Sequence, residues 1–413
     1  MASIADTIFY ILLFFSVYVQ VFFLVTLLEN RKKIEIRKEK IKLKHYPAVT
    51  IVVPCWNEES TVYKTVRSLL ALNYPKNKLK IFLVDDGSTD NTWGVISSFA
   101  KYSNIRVFRK ENGGKHAALN LGLEHADTPF FGCLDADSFA HPESLVRIMS
   151  FFERDSFIMA VAPSVTVADP DNYIGHAQRA EYFMGVYIKK MLGFLGAINV
   201  TPGPLTIFRK KVFDDLGPYR KAYNTEDMEI AYRMQKHHYK IEHCPDAYVY
   251  TNIPKTIKKL FKQRLRWIYG FINNTLDYKE VLFRKKYGNF SLFTLPTGIV
   301  SIASIGYLFW KIIYQIVDFT YSQFVAIQTV GFSTPKASGF DLFFINTPSS
   351  IFLVMLIYGL VVVSMLFGRW MVEGNWRPSF NMVFYFLVFT ALAPVWIMKA
   401  VYQTVIGRAP NWR

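Results

Sequence analysis

Five short stretches carry residue types and spacings suited to chemistry on a charged, oxygen-rich substrate. "VDDGSTDNT" (84–92) ends an apolar run on Asp85 and Asp86, directly before a glycine. Read plainly, it is a strand-to-helix turn in which Ser88 or Asp90 caps the next helix. "CLDADSF" (133–139) ends a second apolar run on Asp135 and Asp137, one residue apart. Carboxylates so spaced can hold a divalent cation, and Mg²⁺ typically takes one or two carboxylates together with substrate phosphates. "NGGKHAALN" (112–120) sets a glycine pair and Lys115 before a helical pattern, as phosphate-cradling turns do. It is not a Walker motif, because His116 follows the lysine and the upstream glycine is missing. "NTEDMEIAYRMQKHHYKI" (224–241) opens a strong helical pattern with Glu226 and Asp227. They could simply offset the helix dipole, worth about 0.3–1 kcal/mol, or one could be a general base held beside an acceptor hydroxyl. "KQRLRWIYG" (262–270) places Gln263, Arg266 and Trp267 at i, i+3 and i+4, on one face of a helix.

The elements that position these stretches fall into four segments. Residues 8–28 contain no charge and are long enough to cross a bilayer as a helix, which takes about 20 apolar residues. No Lys or Arg precedes this run, and "NRKKIEIRKEKIKLKH" follows it. That order favours a retained span over a cleaved signal, with residues 1–45 as an N-terminal helix and basic linker. Residues 46–255 alternate β-branched runs with amphipathic segments, which implies βαβ units and a mostly parallel α/β sheet. Such sheets bind ligands beyond the carboxyl ends of their strands, where Asn57–Glu58, Asp85–Asp86 and Asp135–Asp137 sit. Residues 256–290 read as a basic amphipathic helix suited to a membrane surface. Residues 291–413 hold apolar runs near 292–310, 350–367 and 380–398, for four spans in all. That count puts Arg408 and Arg413 outside, against the positive-inside rule, so the last run or the tail is a candidate interfacial element.

Composition agrees with a membrane protein. The 413 residues are 51% hydrophobic, 16% aromatic and only 19% charged, with a net charge of +16. A chain that is apolar and basic at once points to a bilayer with Lys and Arg on its flank. Nucleic-acid binding is disfavoured because the basic runs border membrane segments. Cys55, Cys133 and Cys244 are far apart and form no C-x-x-C, which argues against a disulfide framework or a zinc site.

The order of the motifs is more specific than any one of them. A strand-end "DDGS", a strand-end "DAD", a "TED" helix start and "QRLRW" before apolar spans resemble the processive membrane-embedded synthases of glycosyltransferase family 2. These include the cellulose, chitin, hyaluronan and poly-N-acetylglucosamine synthases, and the single N-terminal span looks most like the last group. The resemblance covers residues 50–275 by motif. It implies a GT-A fold, a Rossmann-like cytosolic domain fused to transmembrane helices. It implies that Asp86, with Asp85 beside it, contacts the uridine, and that Lys115 faces the nucleotide. Asp135 would lie near ribose and diphosphate, and Asp137 would bind Mg²⁺ or Mn²⁺. Asp227 would be the base, with Glu226 beside it, while Gln263, Arg264, Arg266 and Trp267 belong to the Q-x-x-R-W motif. "TPGPLTIFRK" (201–210) resembles the acceptor-site turn.

The implied reaction is inverting transfer from a UDP-sugar, UDP-N-acetylglucosamine being favoured, to a β-linked polysaccharide that is exported as it grows. Arg suits a diphosphate through its planar fork, and Trp267 offers a sugar ring a flat apolar face. A single transfer to a lipid acceptor could use the same residues. A channel with a basic domain would instead expect ionisable groups inside the spans, and only Lys311 comes near.

Overall fold

The computed structural model describes residues 4–34, 41–331 and 349–410. Parts of two readings, the linker at 35–40 and Arg413, lie outside the described residues. The chain opens with helix α1 (Ile4–Asn30) and then builds strands β1 (Val49–Cys55), β2 (Leu79–Asp86), β3 (Ile105–Lys110) and β4 (Phe130–Cys133), separated by helices α2 (Val62–Leu70), α3 (Thr92–Ser97) and α4 (Lys115–Glu124). These strands lie parallel in the order β3-β2-β1-β4. The mostly apolar, almost wholly buried residues of β1, β2 and β4 fit a sheet covered on both faces, while β3, with Arg106 and Arg109, is the open edge. Residues Val62, Thr65, Val66 and Leu69 give α2 its buried stripe at helical spacing.

The second half departs from a simple βαβ repeat. It comprises β5 (Ser138–Ala140), α5 (Ser144–Arg154), β6 (Ile158–Val167), α6 (Tyr173–Phe194), β7 (Ile207–Arg209), α7 (Lys211–Leu216), α8 (Glu226–Lys236) and β8 (Lys240–Thr251). The sheet continues as β4-β7-β6-β8-β5. Strand β7 is antiparallel to both β4 and β6, and β5 is antiparallel to β8, while β6 and β8 are parallel. The sheet is thus mixed but mostly parallel. Strand β1, flanked by β2 and β4, marks the topological switch point, where ligands bind in such sheets. The 133–139 stretch is the turn joining β4 to β5, not the end of one strand.

After the sheet come α9 (Ile257–Asp277), α10 (Leu295–Val330), α11 (Ser349–Glu373) and α12 (Phe380–Val405). Among the described residues four helical segments, Asp6–Lys33, Phe290–Thr329, Ile351–Glu373 and Phe380–Val405, are long and apolar enough to cross a membrane. Helix α10 runs well past the apolar stretch at 292–310. The domain and these helices share one core: Phe82, Phe131 and Ile230 belong to the same cluster as Phe23, Leu295 and Met371. Lys311 Nζ lies 3.3 Å from Asp6 Oδ1, so the ionisable residue in the apolar region joins α1 to α10.

Helix α12 packs on the catalytic domain at both ends. Near its start Asn381 Oδ1 lies 2.8 Å from His176 Nδ1 on α6, and near its end Thr404 Oγ1 accepts from Asn273 Nδ2 on α9 at 3.1 Å. Between them Trp396 meets Phe261 of α9, with ring centroids 6.3 Å apart. The opposite face exposes Val383, Leu387, Val395, Met398 and Tyr402, spaced three, four or eight residues apart. A helix with one flank on the domain and an apolar flank outward meets lipid whether it crosses the bilayer or lies along it. The three native cysteines are buried, so introduced thiols report cleanly. Arg408→Cys and Glu124→Cys are expected to react with a membrane-impermeant maleimide from the same side of sealed vesicles; labelling from opposite sides would show that α12 crosses.

Candidate active site

Loops at the carboxyl ends of β1, β2 and β4 and the first turns of α4 and α8 meet at one place, roofed by α9. Asp86 ends β2 and is almost fully buried. Its Oδ1 accepts from Gly113 N at 3.0 Å and Lys110 Nζ at 2.7 Å, and its Oδ2 accepts from Gly114 N at 2.8 Å. The carboxylate thereby fixes the glycine turn that presents Lys115. Asp85 is fully buried, held by Ser88 N at 3.2 Å and Arg109 Nε at 3.1 Å. One of its oxygens thus steadies its own turn, and the other pairs with β3.

Lys115 is the hub. Its Nζ lies 2.6 Å from Asp135 Oδ1 and 3.2 Å from Glu226 Oε1. Burial alone would lower its pKa, but these two carboxylates hold it well above the usual lysine value. Glu226 feels the opposite balance: burial would raise it, and Lys115 outweighs that, so it stays below the usual range. Asp227, next in the chain, is pushed up to about 6, first by burial and then by the charge of Glu226. Its backbone carbonyl accepts from Thr201 N at 3.1 Å and Thr201 Oγ1 at 2.8 Å, which ties the TED turn to "TPGPLTIFRK". Two adjacent carboxylates with pKa values driven apart are a recurring sign of assigned acid–base roles.

Asp137 is raised to about 7 by burial, then by Asp135 and Glu58. This concentration of negative charge suits a cation, and the donors are hard carboxylate oxygens. A Cβ on Gly203 would fall 2.6 Å from Lys115 Nζ and 2.7 Å from both Asp135 oxygens, so a glycine keeps the space above the pair open. Among the described residues no group of three His, Cys, Asp or Glu could hold a metal by itself. Asp135 and Asp137 therefore fit Mg²⁺ or Mn²⁺ only when other ligands, such as diphosphate oxygens, complete the shell.

Helix α9 contributes its two faces differently. Arg266 looks toward the carboxylates: burial lowers its pKa, opposed by Glu226, Asp227, Asp135 and Asp137 in that order. Its Nη1 also reaches Asn224 O at 3.5 Å. Arg264 was expected among the substrate-binding residues, but it points to α6, where Nε donates to Glu181 Oε1 at 3.1 Å and Nη2 pairs with Oε2. Its Nη1 holds Gln263 Oε1 at 2.5 Å, and its guanidinium lies 4.1 Å from the Trp267 ring centroid. Arg264 therefore orients Gln263 and Trp267 from behind and occupies one face of the indole.

Sequence reasoning missed helix α6. Glu181 anchors Arg264, the Tyr182 hydroxyl is raised by burial with Asp137 and Asp135 among its neighbours, and Lys189 is pushed down to about 8 by burial, opposed by Asp227. Helix α6 is buried on several sides, so its sequence shows no single apolar stripe. Glu58 was noted as a strand-end group without a role, and it faces Asp137.

The fold and this cluster define a GT-A glycosyltransferase. The glycosyl transferase family 2 pattern matches residues 50–217. A poly-β-1,6-N-acetyl-D-glucosamine synthase of Staphylococcus epidermidis is 30% identical over 355 residues, covering 82% of this chain and 83% of the relative. The Staphylococcus aureus synthase is 29% identical over 306 residues, 72% of each chain. A mannosyltransferase of Pyrobaculum calidifontis, solved with GDP-mannose and Mn²⁺, shares the fold with TM-score 0.55 at 16% identity, over 95% of this chain and 99% of its own. The chain belongs to glycosyltransferase family 2, with the membrane-embedded processive synthases.

The charge balance at Lys115 has a measurable consequence. Lys115→Met leaves Glu226 without the cation that holds its pKa down, which raises that pKa in the folded state. A raised carboxylate costs stability above its unfolded pKa, and protonation relieves it. The variant's deficit in thermal midpoint is expected to be larger at pH 8 than at pH 5, as calorimetry would detect; an equal deficit at both would separate Lys115 from the carboxylates.

Proposed function

We propose that this protein transfers N-acetylglucosamine from UDP-N-acetylglucosamine to the end of a growing β-linked polysaccharide, with inversion, and passes the chain across the membrane. The observation that carries this is the pair at the start of α8: Asp227, raised to about 6 by burial and Glu226, on the acceptor side, and Glu226, tied to Lys115 on the nucleotide side. Similarity to the staphylococcal poly-β-1,6-N-acetyl-D-glucosamine synthases supports the sugar and the polymer.

In this reading Asp227 removes the proton from the acceptor hydroxyl as its oxygen attacks the anomeric carbon. The sugar–phosphate bond breaks on the opposite face, so the linkage formed is inverted. Asp86 holds the glycine turn that meets the nucleotide, and Lys115 and Arg266 face the diphosphate as charge develops on it. Asp137 and Asp135 would hold a divalent cation, which would supply further charge stabilisation to that leaving group. The face of Trp267 not covered by Arg264 supports the acceptor sugar.

The catalytic domain faces the cytoplasm, where UDP-sugars are found, with α1, α10 and α11 as crossings and α12 along the surface. The basic residues after α1 and the contacts at both ends of α12 support this arrangement.

Purified protein with Mg²⁺ or Mn²⁺ and a panel of UDP- and GDP-sugars is expected to release UDP from UDP-N-acetylglucosamine and build a polymer. A single sugar added to a lipid would replace the polymerase reading with the single-transfer one. Asp227→Asn preserves the shape of the helix start and removes the base. It is expected to cut kcat by about 10²–10⁴-fold with UDP affinity unchanged; normal transfer would remove Asp227 from the mechanism. Chelation of divalent cations is expected to abolish transfer, and full activity in excess EDTA would overturn the metal assignment.

A further inference from the structure

The residues just before Glu226 and Asp227 are held in an unusual way. Ala222, Tyr223 and Asn224 have φ values of 37°, 58° and 60°, three successive non-glycine residues in the left-handed region. Such a turn persists only where its surroundings enforce it. Thr225 stands at the N-cap of α8, yet its side chain makes no capping bond to that helix. Its Oγ1 instead donates to Ala222 O at 2.8 Å and accepts from Asn274 Nδ2 of α9 at 2.9 Å. The second proton of that amide goes to Gly270 O at 2.8 Å, and Asn274 is fully buried. The close approach requires Gly270: a Cβ there would lie 2.5 Å from Thr225 Oγ1, and nearer still to its methyl carbon. Arg266 Nη1 at 3.5 Å from Asn224 O and the Tyr223–Tyr269 ring pair, with centroids 5.9 Å apart, complete the grip.

We infer that Asn274 and Gly270 form a clasp through which α9 sets the position of the catalytic carboxylate, so that the helix carrying Arg266 and Trp267 and the helix carrying Asp227 move as one unit. Asn274 is a positioning residue: it touches Thr225, and Thr225 fixes where α8 begins. The inference rests on the reading of Asp227 as the base. A base displaced by about 1 Å can lose on the order of 10²-fold in rate while substrate binding is intact.

The test is a double-mutant cycle with Asn274→Ala and Thr225→Val, the latter close in shape to threonine but unable to bond. Each is expected to lower kcat about 10–100-fold with the KM for UDP-N-acetylglucosamine unchanged. The double variant is expected to be no worse than the worse single one, because both break the same bond. Additive losses, a loss confined to KM, or unaltered kcat would overturn the clasp. Hydrogen exchange supplies a readout independent of transfer: amides 222–228 are expected to exchange faster in Asn274→Ala while those of α4 do not change, and unchanged exchange at 222–228 would also overturn it. If the unaltered protein transfers no sugar, the functional reading fails, and the exchange result still decides the clasp.

Discussion

Lys115 between Asp135 and Glu226 is the interaction on which the site depends. Four carboxylates, Asp135, Asp137, Glu226 and Asp227, share a partly buried space in which like charges repel strongly. Without cations beside them they would take up protons or separate. Lys115 comes from the turn that Asp86 ties down, and Arg266 comes from α9 on the other side. The balance is unequal, and the inequality is useful. Glu226 keeps its charge because Lys115 is close, whereas Asp227 and Asp137 are left with raised pKa values. One is then ready to accept a proton and the other to welcome a cation.

Holding α9 over this cluster is the task of the rest of the molecule. Arg264 is locked to Glu181 of α6, and α6 in turn packs on α11, where Arg179 reaches Glu373 at 2.7 Å. Helix α12 covers both α6 and α9 along its length. The apolar helices therefore buttress the catalytic domain through a shared core as well as anchoring it. Cutting the chain after β8 would remove Arg266 and Trp267 together with the Phe293 and Phe367 rings that pack on Phe23 and Tyr187.

The parallel half of the sheet was legible because its strands are continuous β-branched runs ending in polar clusters, as β1 and β2 show. Strands β5 and β7 were not, since three residues carry no periodicity and their pairing is decided by distant partners. The motif residues were legible as types, but their division of labour was not. Arg264 looks like a ligand-binding group in sequence, and it is held by a partner, Glu181, that no local pattern announces. Lys189 and Asn274 were invisible because nothing near them in sequence marks the carboxylate or turn they face in space.

The central claim is that the environment of Asp227, above all its burial and Glu226, makes it a base at neutral pH. The pH dependence of kcat in the unaltered protein and in Glu226→Gln tests this most directly. A base must be deprotonated, so activity should rise with pH through the pKa of Asp227, giving an acid limb near 6. Removing the charge of Glu226 should move that limb to lower pH, because the largest cause after burial that raises Asp227 is gone. An acid limb that stays in place in Glu226→Gln, or that lies in the ordinary carboxylate range in both proteins, would contradict the account.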